Sequence, residues 1–142
     1  MARQRGVTMQ ITFNWEAVAL ATVLSWVLYV LWFSPFVFGG PWQRLEQLSD
    51  EGVRAGLLLR LGLAFVASAA QSVCLDGFFN FTRSNNFYMG ALAALQLSLC
   101  LAVPAGVMLL VMGRRNAGLI GIYLGWLLLS QILCGGLLAA FT

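Results

Sequence analysis

Six side chains have chemistry at odds with their surroundings. Glu16, Gln71, Asp76, Gln96 and Gln131 lie in or at the ends of long apolar runs, and Arg83 follows Asp76 in a short connection. Ionisable and amide groups at membrane depth are costly and mark function by default. Glu16 opens the first apolar run and Asp76 closes the second, which puts both at one end of an up-and-down arrangement. At 1.5 Å of helical rise per residue, Gln71 is roughly 7 Å in from that end, Gln96 about 12 Å and Gln131 about 15 Å. Arg83 is within reach of Glu16 or Asp76. Thr22, Ser25 and Tyr29, spaced i, i+3 and i+7, share one face of the first run. Two readings follow. The set lines a polar cleft open to one side for a small solute, a lipid headgroup or a cofactor. Alternatively it supplies interhelical hydrogen bonds, each contributing under about 2 kcal/mol.

Other chemistry is poorly represented. The chain has no histidine, which removes histidine-ligated haem, histidine metal sites and histidine acid–base catalysis. Cys74, Cys100 and Cys134 fall in apolar segments without a CxxC spacing, and read as small packing residues rather than disulfides or metal ligands. No nucleophile–base pair stands out, so no catalytic residue, metal or cofactor is expected. All eight basic residues are scattered arginines, which argues against a nucleic-acid surface.

The elements that must position these residues are membrane helices. Of 142 residues, 61% are hydrophobic and 9% charged, and the mean hydropathy is +0.86. Soluble domains carry about 25% charged residues. Four segments reach the length of about 20 apolar residues that a spanning helix needs: residues 17–37, 57–75, 87–112 and 119–141. The expected fold is all-α, a single transmembrane four-helix bundle. The first span is longer than a signal-peptide core and lacks a small-residue cleavage site, so it reads as a retained anchor.

That span closes on "LWFSPFVFGGPW". Trp32, Phe33, Phe36, Phe38 and Trp42 suit an aromatic belt where a helix leaves the hydrocarbon. Pro35 ends or kinks the helix, and Gly39, Gly40 and Pro41 turn the chain along the surface. Trp32, Pro35, Phe38, Gly39 and Trp42 therefore form the expected interfacial anchor. A short amphipathic helix follows, with Trp42, Leu45 and Leu48 on one side. Ser49, ahead of two acids, is placed to cap the next helix. In the last span Gly118, Gly121, Gly125 and Gly136 form one small stripe, centred on Gly121-x-x-x-Gly125, for close helix packing. Ala64, Ser68 and Ser72 offer a similar face on the second, and Pro104 kinks the third. The first and third connections hold Arg44, Arg54, Arg60, Arg114 and Arg115, five arginines against three at the other end (Arg3, Arg5 and Arg83). Positive-inside counting then places both termini outside.

The chain resembles the family catalogued as domain of unknown function 1761, small and mostly bacterial four-helix membrane proteins. The likeness rests on Asn14-Trp15 ahead of the first helix, on Trp32, Phe33, Ser34, Pro35, Phe38, Gly39 and Trp42, on the pair Arg114-Arg115, and on a Gly- and Tyr-containing last helix. The resemblance implies a topology, in a bacterial inner membrane, but no activity. The expected role is non-enzymatic: an accessory subunit, or a bundle that binds lipid or a partner within a larger complex or homo-oligomer. The alternative is a small transporter or channel, single or as a dimer, that passes a small solute through the polar cleft.

Overall fold

A computed structural model describes residues 13–82, 86–111 and 116–141. Arg83, the Arg114-Arg115 pair and the N-terminal arm lie outside the described residues. Six helices follow one another: α1 (Trp15–Trp32), α2 (Gly39–Leu45), α3 (Asp50–Ala55), α4 (Leu57–Thr82), α5 (Phe87–Val111) and α6 (Ala117–Phe141). Four of them are long and apolar enough to cross a membrane: Trp15–Trp32, Leu57–Asn80, Phe87–Leu109 and Ala117–Phe141. The fold is an all-α membrane bundle, with α2 and α3 at one end.

α1 starts where Asn14 caps it, its Oδ1 accepting from the Ala17 N–H at 3.2 Å. It ends five residues earlier than expected, at Trp32 rather than 37. Pro35 has no N–H to donate back to Leu31 and its ring collides with that turn. The chain instead folds over itself: the Phe38 N–H donates to the Trp32 carbonyl at 3.0 Å and the Gly39 N–H to that of Ser34 at 2.9 Å. Only glycine fits at 39, because a Cβ there would sit 2.5 Å from the Phe33 oxygen and 2.6 Å from that of Ser34. The surface helix is split in two. Gln47, with φ at +55°, separates α2 from α3, and Ser49 caps α3 by accepting from the Gly52 N–H at 3.1 Å. Gln43 clamps the pair through a 2.7 Å bond to Asp50.

α4 runs to Thr82, past the expected end at 75. Phe79 explains the extension: it is fully buried and lies against Gly135 of α6, so the core continues beyond Asp76. α6 is the central helix, packed on α1, α4 and α5, whereas α5 rests chiefly on α6. Backbones meet most closely where Gly90 of α5 faces Gly135 and Ala139 of α6, and where Gly135 faces Ala94. Small residues let this happen, and dispersion over the close contact drives the association in lipid.

The glycine stripe therefore differs from expectation. Gly121, its expected centre, is exposed and faces open space. Gly118 receives Leu45 of α2, Gly125 receives the Trp32 ring, and Gly136 receives Phe87. The contact that joins two spanning backbones belongs to Gly135 and Gly90. On α4, Ala64, Ser68 and Ser72 are all buried. Of the cysteines, Cys134 is buried and its thiol donates to the Ala21 carbonyl at 3.4 Å, while Cys74 and Cys100 are exposed.

Thermal unfolding in detergent should separate these glycines. Gly90→Ala forces a methyl onto Gly135 and Ala139 and should lower stability by about 1–3 kcal/mol, the usual range for overpacking. Gly121→Ala should leave the midpoint unchanged or raise it slightly, since alanine is the better helix former by about 1 kcal/mol.

Candidate functional site

The bundle has two chemically distinct ends. At the end where α1 begins and α6 finishes, Asn14 is the junction. Its backbone N–H donates to Asp76 Oδ2 at 3.3 Å and its Nδ2 to the Phe141 carbonyl at 3.1 Å. One side chain thus caps α1, meets a carbonyl of the last turn of α6 and lies beside an acid of α4. Asn80, one helical turn after Asp76, donates from Nδ2 to the Asp76 carbonyl at 2.9 Å and to Oδ2 at 3.3 Å. The α1 N-terminus also presents its positive dipole end to the carboxylate. Asp76 is completely buried. Glu16 is exposed, and borders the same cavity as Asp76, Asn14 and Asn80.

A buried polar seam leads inward from Asp76. Ser72 and Ser68 follow it up α4 at four-residue spacing, and Thr22 and Ser25 of α1 and Ser130 of α6 are buried as well. Thr22, Ser72 and Ser130 each donate to a carbonyl of their own helix at 2.7–2.9 Å. Ser25 Oγ, Ser68 Oγ, Gln71 Nε2, Asp76 Oδ1 and Gln131 Oε1 are buried without a hydrogen-bond partner.

At the opposite end the rings of the proline turn fold inward. Phe33 sits among Tyr29 (4.8 Å between centroids), Tyr123 (5.5 Å), Trp42 (5.8 Å) and Trp126 (6.4 Å). Tryptophan N–H groups tie the elements together: Trp26 to the Leu61 carbonyl, Trp32 to that of Ile122, and Trp42 to the Tyr123 hydroxyl, at 2.9–3.1 Å. Under the turn lies a cavity of about 330 Å³ between α1, α2, α3 and α4. Its walls are largely apolar (Val30, Phe33, Val53, Leu57 and Leu61 among them), with Arg60, Tyr29, Gln43 and Ser34 as polar members. The Arg60 guanidinium lies 5.2 Å from the Trp42 ring centre. Among the described residues no carboxylate pairs with it.

The six residues expected to share one cleft are distributed differently. Glu16 and Asp76 come together. Gln71 and Gln131 are half-buried, each with an unpartnered amide atom. Gln96 faces outward on α5, and Arg83 lies outside the described residues. Of the expected anchor, Trp32, Phe38 and Trp42 are half-buried and Gly39 is buried, leaving Pro35 exposed. Phe36 projects instead, 96% exposed. Three participants went unrecognised as such in the sequence. Asn14 carried the signal of an amide just before an apolar run. Asn80 carried that of an amide four residues after an acid. Arg60 carries no signal beyond being one of five arginines at its end of the chain's topology. Among the described residues no cluster of three His, Cys, Asp or Glu is placed to hold a metal ion.

A central helix with three packed neighbours and one polar and one aromatic end define a small helical integral membrane protein. The chain belongs to the family described as protein of unknown function DUF1761, whose model matches residues 16–139. No curated protein and no solved structure matches it.

The Asn14 junction should be measurable as stability. Asn14→Ala loses the cap and the bond to α6 and should reduce stability by about 1–2 kcal/mol. Asn14→Ser, which retains a capping oxygen, should recover part of that loss in the same detergent melt.

Proposed function

We infer that this protein is a non-enzymatic lipid-binding bundle of the bacterial inner membrane, and that it holds an anionic amphiphile in the cavity beneath the proline turn. The observation that carries this reading is Arg60. It borders the cavity one turn into α4, stacked on Trp42 and without a carboxylate partner among the described residues. A guanidinium offers a planar fork of donors suited to a phosphate. The apolar walls beside it suit the start of an acyl chain. At about 330 Å³, the volume falls within the range of small-ligand sites.

Arg44 and Arg54 share this end with Arg60, which supports placing it in the cytoplasm with both termini outside. Basic groups at that surface are drawn to anionic lipid. The outward-facing amide of Gln96 on α5 supports a neighbour protein in the membrane, since a lipid-exposed amide gains a hydrogen bond when a helix packs on it. An accessory role in a larger assembly fits that face. A second reading, a small transporter, draws on the polar seam from Asp76 towards Ser68. Against it, both carboxylates in the spans lie near one end, whereas coupling sites in transporters sit near the midplane.

Native mass spectrometry of the chain released from gentle detergent tests the lipid reading, with phosphatidylglycerol as the added amphiphile. The wild type should retain one phosphatidylglycerol in preference to phosphatidylcholine. Arg60→Gln should lower that retention roughly tenfold, the equivalent of one lost charged hydrogen bond. Equal retention by the wild type and the variant would remove Arg60 from the account.

A further inference from the structure

α5 rests chiefly on α6, with Gly90, Ala94 and Gly106 against it. The opposite row, Tyr88, Leu92, Gln96, Cys100, Pro104 and Met108, repeats every four residues and is exposed throughout. The span runs from Phe87 to Leu109. At 1.5 Å per residue Gln96 lies roughly 13 Å from its start, near the middle of a hydrocarbon layer about 30 Å thick. Among the described residues its amide has no hydrogen-bond partner.

The same row carries a second open group. Pro104 has no N–H to return to the Cys100 carbonyl one turn earlier. A helical carbonyl points along the axis towards residue i+4, and Pro104 is exposed. The spare acceptor therefore sits on the outer row, one turn from the Gln96 amide. Acyl chains offer neither donor nor acceptor at this depth, and an unmet polar group there is costly. What covers the row must bring polar groups at the same depth. A second copy does so by symmetry, because a two-fold axis along the membrane normal sets each residue against its own counterpart. An amide both donates and accepts, so it is complementary to itself. Cys100 is small enough for backbones to come close, and rows of every fourth residue interlock in the commonest class of helix packing.

We propose that a second copy of this chain docks on the outer row of α5, as a parallel, two-fold symmetric pair that crosses at Gln96 and Cys100. Each Gln96 amide exchanges hydrogen bonds with the partner's Gln96, within reach of the partner's Cys100 carbonyl. The neighbour that Gln96 calls for is thus the chain itself. α5 does not border the Arg60 cavity, so this surface stands whether or not that cavity holds lipid.

Förster transfer between donor- and acceptor-labelled full chains, diluted in phosphatidylcholine bilayers, tests it. The purified wild type should associate as a dimer. Gln96→Leu, at an exposed position, should associate about tenfold more weakly, the equivalent of two interhelical hydrogen bonds. Gln96→Asn, which keeps an amide, should recover part of that loss. Copper–phenanthroline oxidation in the same bilayers should link chains through Cys100 faster than through Cys74, which is also exposed. Arg60→Gln should associate as the wild type does, which separates this test from that of the lipid reading. A wild type that stays monomeric would overturn the proposal and leave Gln96 to a different membrane protein. Association of Gln96→Leu at wild-type strength would overturn it too, as would linkage through Cys74 as fast as through Cys100.

Discussion

Close approach of α6 to its neighbours is the constraint on which the rest of the structure depends. In lipid no hydrophobic force brings helices together, so packing and interhelical hydrogen bonds must do so. Gly90, Ala94, Gly135 and Ala139 bring α5 onto α6 almost backbone to backbone. Ala17 and Ala21 on α1 pack in one core with Cys134 of α6, and Ser25 on α1 with Ala64, Ser68 and Ser72 on α4 add further small buried side chains. That interior leaves little space at mid-bundle. Larger side chains are displaced to the ends, where the aromatic cluster and the Asn14–Asp76 junction form. The two cavities described here lie at those ends because the middle is tightly packed.

Each end is held by a different kind of bond. The aromatic end uses tryptophan N–H groups that reach carbonyls exposed on the facing helix. A helical carbonyl keeps a second lone pair beside its own helix bond, and an indole brings a donor together with a large apolar face. The polar end uses one asparagine to serve three helices. These bonds fix the cavity walls without filling the cavities. Arg60 and Asp76 thus remain polar members of mostly apolar or aromatic surroundings, at opposite ends of one helix.

Much of this was legible in the sequence. Long apolar runs placed the four spans, Pro35 and Gly39 placed the turn, and Ser49 announced the cap of α3. Glu16 and Asp76 could be assigned to one end because topology alone sets it. What was not legible depends on how helices are rotated against one another. Gly121-x-x-x-Gly125 has the spacing of a packing motif, but spacing on one helix does not say which face meets a partner. α6 turns Gly135 toward α5 and leaves Gly121 open. The same ambiguity hid the outward direction of Gln96. The rings after Trp32 have a composition that suits a lipid belt and an internal cluster equally well, and only the reversal of chain direction at Ser34 brings them onto α6. Asp76 lies one residue beyond the expected span end, and the burial of Phe79 is what draws it into the bundle.

The central claim is that the cavity under the proline turn, and not the general lipid-facing surface, holds an anionic amphiphile through Arg60. Photo-crosslinking measures this most directly. Phosphatidylglycerol with a diazirine near the start of one acyl chain would be incorporated into bilayers with the protein, irradiated, and the labelled residues mapped by peptide mass spectrometry. Label should concentrate on cavity residues Val30, Phe33, Val53 and Leu61, and be lost from them in Arg60→Gln. Label spread evenly over outward residues such as Leu58, Leu63 and Val66, with the cavity residues no richer than these, would contradict it.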